Sequence, residues 1–182
     1  MFTEARFDDT ETGRVPVEDG WFVLNARDAR WRAAEGRGAY CVFEGALDFP
    51  QLGIHLVTLD PGDAMSMYHW EEDQEDFLVL SGEAVLVVEG EERPLRQWDF
   101  VHCPPRTKHT IVGAGSGPCL VVAVGARDKS VGPEWGGYTV DEAAARHGAS
   151  VERDTTNAEE AYAPVAHREP TRYRDGWLPT YG

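Results

Sequence analysis

The sequence is poor in cysteine and in basic residues, and it lacks long apolar runs. Cys41, Cys103 and Cys119 are an odd number without paired spacing, which predicts reduced thiols in apolar strands rather than a disulfide framework. Lys and Arg number 17 against 32 Asp and Glu, and the formal net charge of -15 leaves no basic patch for nucleic acid or anionic membranes. The N-terminal residues lack the charged-then-apolar order of a secretory signal, and no apolar run approaches the length of a membrane span. We therefore expect a cytoplasmic protein without nucleic-acid or membrane partners.

Short apolar segments alternate with glycine and proline from residue 53 to residue 125. This rhythm is typical of an antiparallel sandwich or barrel, and the 182 residues suffice for one domain with extensions. We predict an N-terminal arm over residues 1–19, a β domain over 20–125 and a C-terminal extension over 126–182. Within the β domain, residues 21–25 and 40–44 are predicted strands, and residues 26–38 a turn or brief helix.

The C-terminal extension carries two helix signatures. A capping box from Thr139 to Glu142, closed by Gly148, predicts a two-turn helix, and Asn157 predicts the start of a second one that stops at Pro164. Such short helices must pack on the β domain or on a neighbouring subunit. The closing stretch 168–182 interleaves arginine with tyrosine and tryptophan, and we expect it to dock on an acidic protein surface.

Four metal-ligating side chains lie close together in the middle of the chain. His69, Glu71 and Glu75 fall within seven residues at the approach to an apolar strand, and His109 opens another strand. Two imidazoles and two carboxylates are ligands that a hard or borderline divalent cation uses. The sequence therefore predicts a metal site at these residues. The alternative is a solvated acidic turn with ordinary histidines.

Strand parity assigns neighbouring residues to the two faces. Side chains alternate along a strand, so Met67 shares the inward face of His69 and Glu71, while Phe77 continues the inward face of Glu75. Tyr68 and Trp70 then point to the other side, towards a second layer or a partner.

These residues resemble the motifs of the cupins, small jelly-roll proteins with a double-stranded β-helix. Gly62, His69, Glu71, Glu75 and Gly82 fall on the first cupin motif, with Glu71 replacing its second histidine, as in cupin-2-type proteins with a Tyr-His-x-Glu first motif. Pro104 and His109 match the second motif, where Trp98, Arg106 and Gly113 stand in place of two glycines and an asparagine. The resemblance implies an all-β jelly-roll barrel, here followed by short C-terminal helices, and a homodimer, since cupins commonly pair.

The role of Glu71 and of several nearby residues stays open at this point. Glu71 is either a fourth ligand or a carboxylate that acts as acid or base beside the metal. Two strand histidines, His55 and His102, are candidates for the pocket wall. Arg106 either pairs with a substrate carboxylate at the cavity mouth or is an exposed loop arginine.

Two functions of different classes fit this ligand set. The first is an enzyme that uses Mn, Fe or Zn to act on a small oxygen-rich metabolite, of the dioxygenase or isomerase type, with catalytic groups beyond the metal ligands undetermined. The second is a non-catalytic cupin that binds a small molecule or a metal. Fold resemblance does not choose between them, because cupins host many unrelated reactions.

Overall fold

The computed structural model describes residues 3–128 and 135–180, and strands dominate this part of the chain. The strands in chain order are β1 (Phe7–Thr10), β2 (Gly13–Pro16), β3 (Arg30–Ala33), β4 (Ala39–Val42), β5 (Leu52–Leu59), β6 (His69–Glu71), β7 (Glu75–Ser81), β8 (Glu83–Val88), β9 (Glu91–Arg96), β10 (Phe100–Cys103), β11 (His109–Ala114), β12 (Cys119–Ala126), β13 (Gly136–Tyr138) and β14 (Glu169–Thr171). The two helices are α1 (Glu142–Arg146) and α2 (Ala158–Tyr162). Neither helix has the length or the apolar content that a membrane span requires.

Two antiparallel sheets form the body of the molecule. The larger sheet has the order β10-β7-β12-β5-β4-β3-β14, and the smaller sheet has the order β13-β6-β11-β8-β9. Side chains from both sheets meet in one apolar core, with Val79 and Val121 from the larger sheet and Ile111 and Leu86 from the smaller one. This is the predicted all-β jelly roll. Within the described residues the two sheets remain separate, and they are not closed into one barrel by a hydrogen-bonded ladder.

Tight turns explain why the sandwich needs unusual backbone angles at a few positions. Gly82 joins β7 to β8 with a φ of +77°, and a Cβ there would lie 2.4 Å from the Pro118 carbonyl oxygen. Trp98 and Arg106, at φ of +75° and +70°, also lie in the left-handed region. These two residues occupy positions where the second cupin motif has glycine, so the backbone bend persists although the residue type differs.

The N-terminal third forms more strand than the sequence predicted. Residues 7–16 make a β-hairpin of β1 and β2. Of the stretch predicted as a turn or brief helix, residues 26–28 form a turn, and the strand β3 follows. The strand predicted over residues 21–25 is wrong, because only Trp21 pairs, in an isolated bridge to Glu4. In β3 the Trp31 ring is fully buried, and this side chain anchors the strand to the layer behind the sheet.

The C-terminal extension packs on the chain's own sheets. Its first helix is capped by Asp141, whose side chain accepts a hydrogen bond from the Ala144 N–H, so the capping box predicted from Thr139 is wrong. The predicted caps Asn157, at the start of α2, and Gly148, at φ +66° just after α1, are confirmed.

Helix α1 covers the outer side of the smaller sheet. Ala143 and Ala144 of this helix pack against the fully buried Tyr68 ring, and the Tyr68 hydroxyl accepts the Gly90 N–H at 3.1 Å. Of the two predicted alternatives, a second layer or a partner, Tyr68 takes the first, because the chain covers it with its own helix.

The arginine-rich end of the chain also contacts the chain itself. β14 extends the larger sheet by pairing with β3, and Tyr173 and Trp177 pack against Trp31 with ring centroids 6.0 and 5.0 Å away. The segment thus completes its own sheet rather than docking on a separate acidic surface as predicted.

The three cysteines are free and buried, as expected for reduced thiols. Burial raises the pKa of Cys41 to about 12 and that of Cys119 to about 11, so both behave as small apolar side chains.

Candidate metal centre

Three of the four predicted ligands converge at one point between the two sheets. His69 and His109 lie directly opposite each other on β6 and β11 of the smaller sheet, with ring centroids 4.9 Å apart. Glu75 reaches them from β7 of the larger sheet, and its Oε2 lies 3.6 Å from His69 Nε2 and 3.3 Å from His109 Nε2. One ligating atom from each of the three residues lies within 4.8 Å of the other two.

Both histidines present the same ring nitrogen to this point. His69 Nδ1 lies 2.9 Å from the Met67 carbonyl oxygen, and His109 Nδ1 lies 3.0 Å from that of Thr107. A carbonyl oxygen only accepts, so each Nδ1 carries the proton and each Nε2 keeps a free lone pair. This is the tautomer that a metal-binding histidine needs.

The geometry and the unsatisfied atoms fit a divalent metal. Ligand atoms bound to one ion lie about 3 to 3.5 Å apart, because each is about 2.0–2.2 Å from the ion. His109 Nε2 and Glu75 Oε2 are also fully buried and have no hydrogen-bond partner in the described structure. Buried polar atoms are seldom left in this state unless an ion or a water satisfies them. The cluster could therefore hold a divalent metal ion.

The pKa values of His69, Glu75 and His109 are shifted because these side chains are buried close together. Burial favours the neutral form of both rings, yet the nearby carboxylates of Glu71 and Glu75 raise the pKa of His69, while Cys103 and Glu75 raise that of His109. Burial also favours neutral Glu75, but the two imidazoles lower the pKa of its carboxyl group. Protons and a metal ion therefore compete for the same Nε2 lone pairs and carboxylate oxygens.

Glu71 lies beside the cluster rather than within it. Its Oε1 is 3.7 Å from His69 Nε2, but Glu71 is not part of the group whose ligating atoms are all mutually close. The side chain is 32% exposed and lines the cavity. This position suits a carboxylate that accepts or donates a proton next to the ion.

The cluster opens into a cavity of ≈ 540 Å³ between the sheets. Of the residues proposed for its wall, His55 and Phe77 line it. His55 Nδ1 bonds the Cys41 carbonyl oxygen at 3.2 Å, and burial lowers the pKa of this histidine, so its ring is neutral. Phe77 packs against the His109 ring with centroids 5.3 Å apart.

The structure places the other three wall candidates elsewhere. Met67 is buried under the C-terminal extension beside Tyr138, because the chain reaches regular strand geometry only at His69 and parity fails before it. His102 pairs with Asp76 at 2.7 Å on the exposed side of the larger sheet. Arg106 is 69% exposed and donates two hydrogen bonds, of 3.1 and 2.6 Å, to the Glu72 carboxylate. Of the two predicted roles, it therefore has that of an exposed loop arginine.

Several cavity residues were missed by sequence reasoning. They come from outside the motif region and include three arginines and four aromatic residues: Arg30, Arg32, Arg168, Tyr40, Trp135, Tyr138 and Tyr162. A local signal existed only for two of them, since Arg30 and Arg32 alternate around the apolar Trp31 as strand residues do. The aromatic residues and Arg168 reach the cavity through long-range packing.

The family is decided by residues 55–125, which match the family model of the cupin domain. The chain therefore contains a cupin domain over these residues. The matched segment contains all four predicted metal ligands, from His69 in the first motif to His109 in the second. No curated protein shows significant similarity to the chain.

Several solved structures resemble this chain over about half of its length. A proposed sugar phosphate isomerase from Acidithiobacillus ferrooxidans is 28% identical, with a TM-score of 0.42, and the alignment covers 48% of this chain and 54% of that one. A cupin 2 conserved barrel domain protein from Salinispora arenicola is 26% identical, with a TM-score of 0.40 and coverage of 47% and 69%. A conserved protein with a double-stranded β-helix domain from Klebsiella pneumoniae is 23% identical, with a TM-score of 0.47 and coverage of 54% and 84%. This cupin thus spans about half the length of the Acidithiobacillus protein.

Proposed function

We propose that this cupin is a metal-dependent enzyme that acts on a small oxygen-rich metabolite held in the cavity. The observation that carries the proposal is the pair of buried, unsatisfied atoms Glu75 Oε2 and His109 Nε2, which face the cavity together with His69. Two histidines and one carboxylate are the ligand set of many mononuclear metal enzymes, and they leave positions open for substrate.

His69, Glu75 and His109 would hold Mn, Fe or Zn in this scheme. When bound, such an ion supplies Lewis acidity to a chelating oxygen of the substrate and a site for a small co-reactant. The hydrogen bonds from each Nδ1 to a backbone carbonyl hold the two rings in place before an ion arrives, which keeps the site rigid.

Glu71 provides the proton chemistry in this proposal. Its carboxylate lines the cavity 3.7 Å from His69 Nε2 and is partly exposed, so it exchanges protons with solvent and reaches a substrate bound next to the ion. The volume of ≈ 540 Å³ suits a metabolite-sized molecule.

The test begins with metal content and ends with turnover. Protein purified without a His tag is analysed for Mn, Fe and Zn, then loaded with the metal found and mixed with chelating hydroxy, keto and enediol compounds. Oxygen uptake identifies a dioxygenase, and deuterium incorporation from solvent identifies an isomerase. Tight capture of a compound without either signal would instead establish the second function, a non-catalytic binding cupin. Absence of any metal at a stoichiometry near one per chain, even after loading, would refute the metal-dependent proposal.

A further inference from the structure

Arg30 presents an unpartnered guanidinium group to the cavity. It lies on β3, in a cross-strand row that runs through Val42, His55 and Ala123 to Phe77 of β7. Its Nε is fully buried without a hydrogen-bond partner, and its side chain forms no ion pair with any residue in ranges 3–128 and 135–180. A half-buried arginine whose Nε is shielded from water and has no partner is ready to bind an acceptor from outside the chain.

The two other cavity arginines, Arg32 and Arg168, bond to backbone carbonyl oxygens, so no carboxylate is brought next to the Arg30 charge. Arg32 donates through Nε and Nη2 to the Arg168 carbonyl oxygen, and Arg168 donates to the carbonyl oxygens of Arg37 and Met65. These bonds fix both side chains in place but cancel no charge. Within the described residues, no carboxylate forms an ion pair with Arg30, Arg32 or Arg168.

This arrangement differs from that of arginines elsewhere in the same acidic chain. Arg6, Arg127 and Arg146, for example, each lie within 3.0 Å of a glutamate oxygen. Of the described acidic residues, Asp63 acts on Arg168 only at longer range, and none forms an ion pair with an arginine of the cavity wall. Such a wall favours an anion, since a guanidinium group forms paired hydrogen bonds with carboxylate or phosphate oxygens.

The arginines and the metal cluster lie at different ends of the cavity. Glu75 is on β7 and Arg30 on β3, and four strand-to-strand steps separate them in the sheet. At about 4.8 Å per step this is about 19 Å along the curved sheet, part of which the long Arg30 side chain spans. Trp135 and Tyr138, whose rings are tilted by 57° with centroids 5.1 Å apart, form an aromatic wall beside the cluster.

We propose that Arg30, with Arg32 and Arg168 beside it, binds the carboxylate or phosphate group of the small molecule whose oxygen donors face the His69, Glu75 and His109 cluster. The substrate class is therefore an organic anion. The orientation of the ligand's oxygen donors towards the metal cluster rests on the proposed function. The anion site itself depends on the arginines alone.

The experiment measures binding of inorganic phosphate and benzoate to the purified full chain by calorimetry. Arg30→Gln is expected to weaken whichever probe the parent binds by at least about tenfold, because a charge-assisted pair is lost. Arg30→Lys keeps the charge but not the planar fork, so its loss should be smaller. Arg96→Gln, which removes the same charge from the exposed side of β9, should bind as the parent does.

The outcomes separate the anion site from the metal site. Binding of phosphate alone identifies a phosphate-bearing ligand, and binding of benzoate alone identifies a carboxylate. Equal binding by Arg30→Gln and the parent, or no binding of either probe by the parent, would overturn the assignment. If His109→Ala alone loses the probe, the anion lies on the metal cluster and Arg30 is not its site. If the parent holds no metal yet shows Arg30-dependent binding, the proposed function fails and the anion site remains.

Discussion

His109 and Glu75 connect the two sheets of the sandwich at a single point. His109 Nε2 lies 3.3 Å from Glu75 Oε2, although β11 belongs to the smaller sheet and β7 to the larger one. Both atoms are buried and unsatisfied, so a ligand shared by them ties the sheets together as well as serving chemistry. Stability and metal occupancy should therefore be linked in this protein.

Removal of the His109 imidazole should abolish this linkage. We expect a divalent metal at a concentration one hundred times its Kd to stabilise the parent by about 2.7 kcal/mol, and His109→Ala to show no such gain. Thermal unfolding with and without Mn(II), Fe(II) or Zn(II) measures the effect. His102→Ala, on the exposed side of the larger sheet, is the matched control and should respond like the parent. Equal responses from all three proteins would show that the metal binds elsewhere.

The two carboxylates of the site should behave differently when each is made neutral. Glu75→Gln should lose stoichiometric metal binding, because Glu75 is the carboxylate that both histidines approach. Glu71→Gln should keep the metal with an affinity reduced by less than about tenfold and lose turnover instead, since Glu71 lies beside the cluster. Metal content after dialysis and turnover rate are the two measurements. Loss of the metal in Glu71→Gln would make Glu71 a ligand.

The neutral His55 ring predicts a dependence of stability on pH. Burial lowers the pKa of His55 in the folded state, whereas the unfolded chain binds a proton near 6.5. The stability that depends on neutral His55 is therefore complete above pH 6.5 and is lost as the pH falls below that value. Urea unfolding with EDTA should show the parent losing more free energy than His55→Gln between about pH 7.5 and pH 5, at most about 2 kcal/mol. Parallel pH curves would contradict this.

An ion pair between the buried Glu44 and the half-buried Arg127 fixes the end of β12 to the loop before β5. Glu44 accepts hydrogen bonds from Arg127 at 2.5 and 2.9 Å and from the Phe49 N–H, and it is buried. Glu44→Gln should lower the free energy of unfolding by about 2–3 kcal/mol, because charged hydrogen bonds are lost in a buried place. Glu18→Gln, which breaks the exposed pair with Arg6, should cost less than about 1 kcal/mol. Urea denaturation at pH 7 compares the two.

Two side chains at the start of α1 differ in their hydrogen bonding: Asp141 caps the helix, whereas the Thr139 hydroxyl has no partner in the described structure. Asp141→Ala should cost about 1 kcal/mol, since its side chain caps the Ala144 N–H at 2.8 Å. Thr139→Val should be neutral or stabilising, because the Thr139 hydroxyl is buried without a partner. The free energies of unfolding in urea decide the matter, and a larger loss in Thr139→Val than in Asp141→Ala would restore the capping box.

The strands of the cupin domain were predictable because their signals are local. Gly82 and Pro104 mark turns, and the apolar segments between such residues correspond to β5 and β7 to β12. His69, Glu75 and His109 stood out since their spacing matches a motif, and the structure brings them together. The alternation of side chains along a strand predicted the inward-facing residues correctly from His69 onwards, where regular strand geometry begins.

The rest of the cavity depends on contacts between distant parts of the chain. Arg30 and Arg32 lie in a segment whose alanine and glycine content favoured a turn or a helix, and only pairing with β4 and β14 makes it a strand. Arg168 and Tyr162 enter the site because α2 and β14 return to the sheet. The boundaries of the three predicted segments stay a prediction, although the C-terminal segment contributes to the site.

The return of β14 to the larger sheet has a consequence for biosynthesis. On the ribosome, His69, Glu75 and His109 are synthesised well before Arg168, so the proposed metal ligands are available while the arginine wall of the cavity is still incomplete. A metal ion would then bind first. The complete anion site would form only when the final strand, β14, pairs with β3.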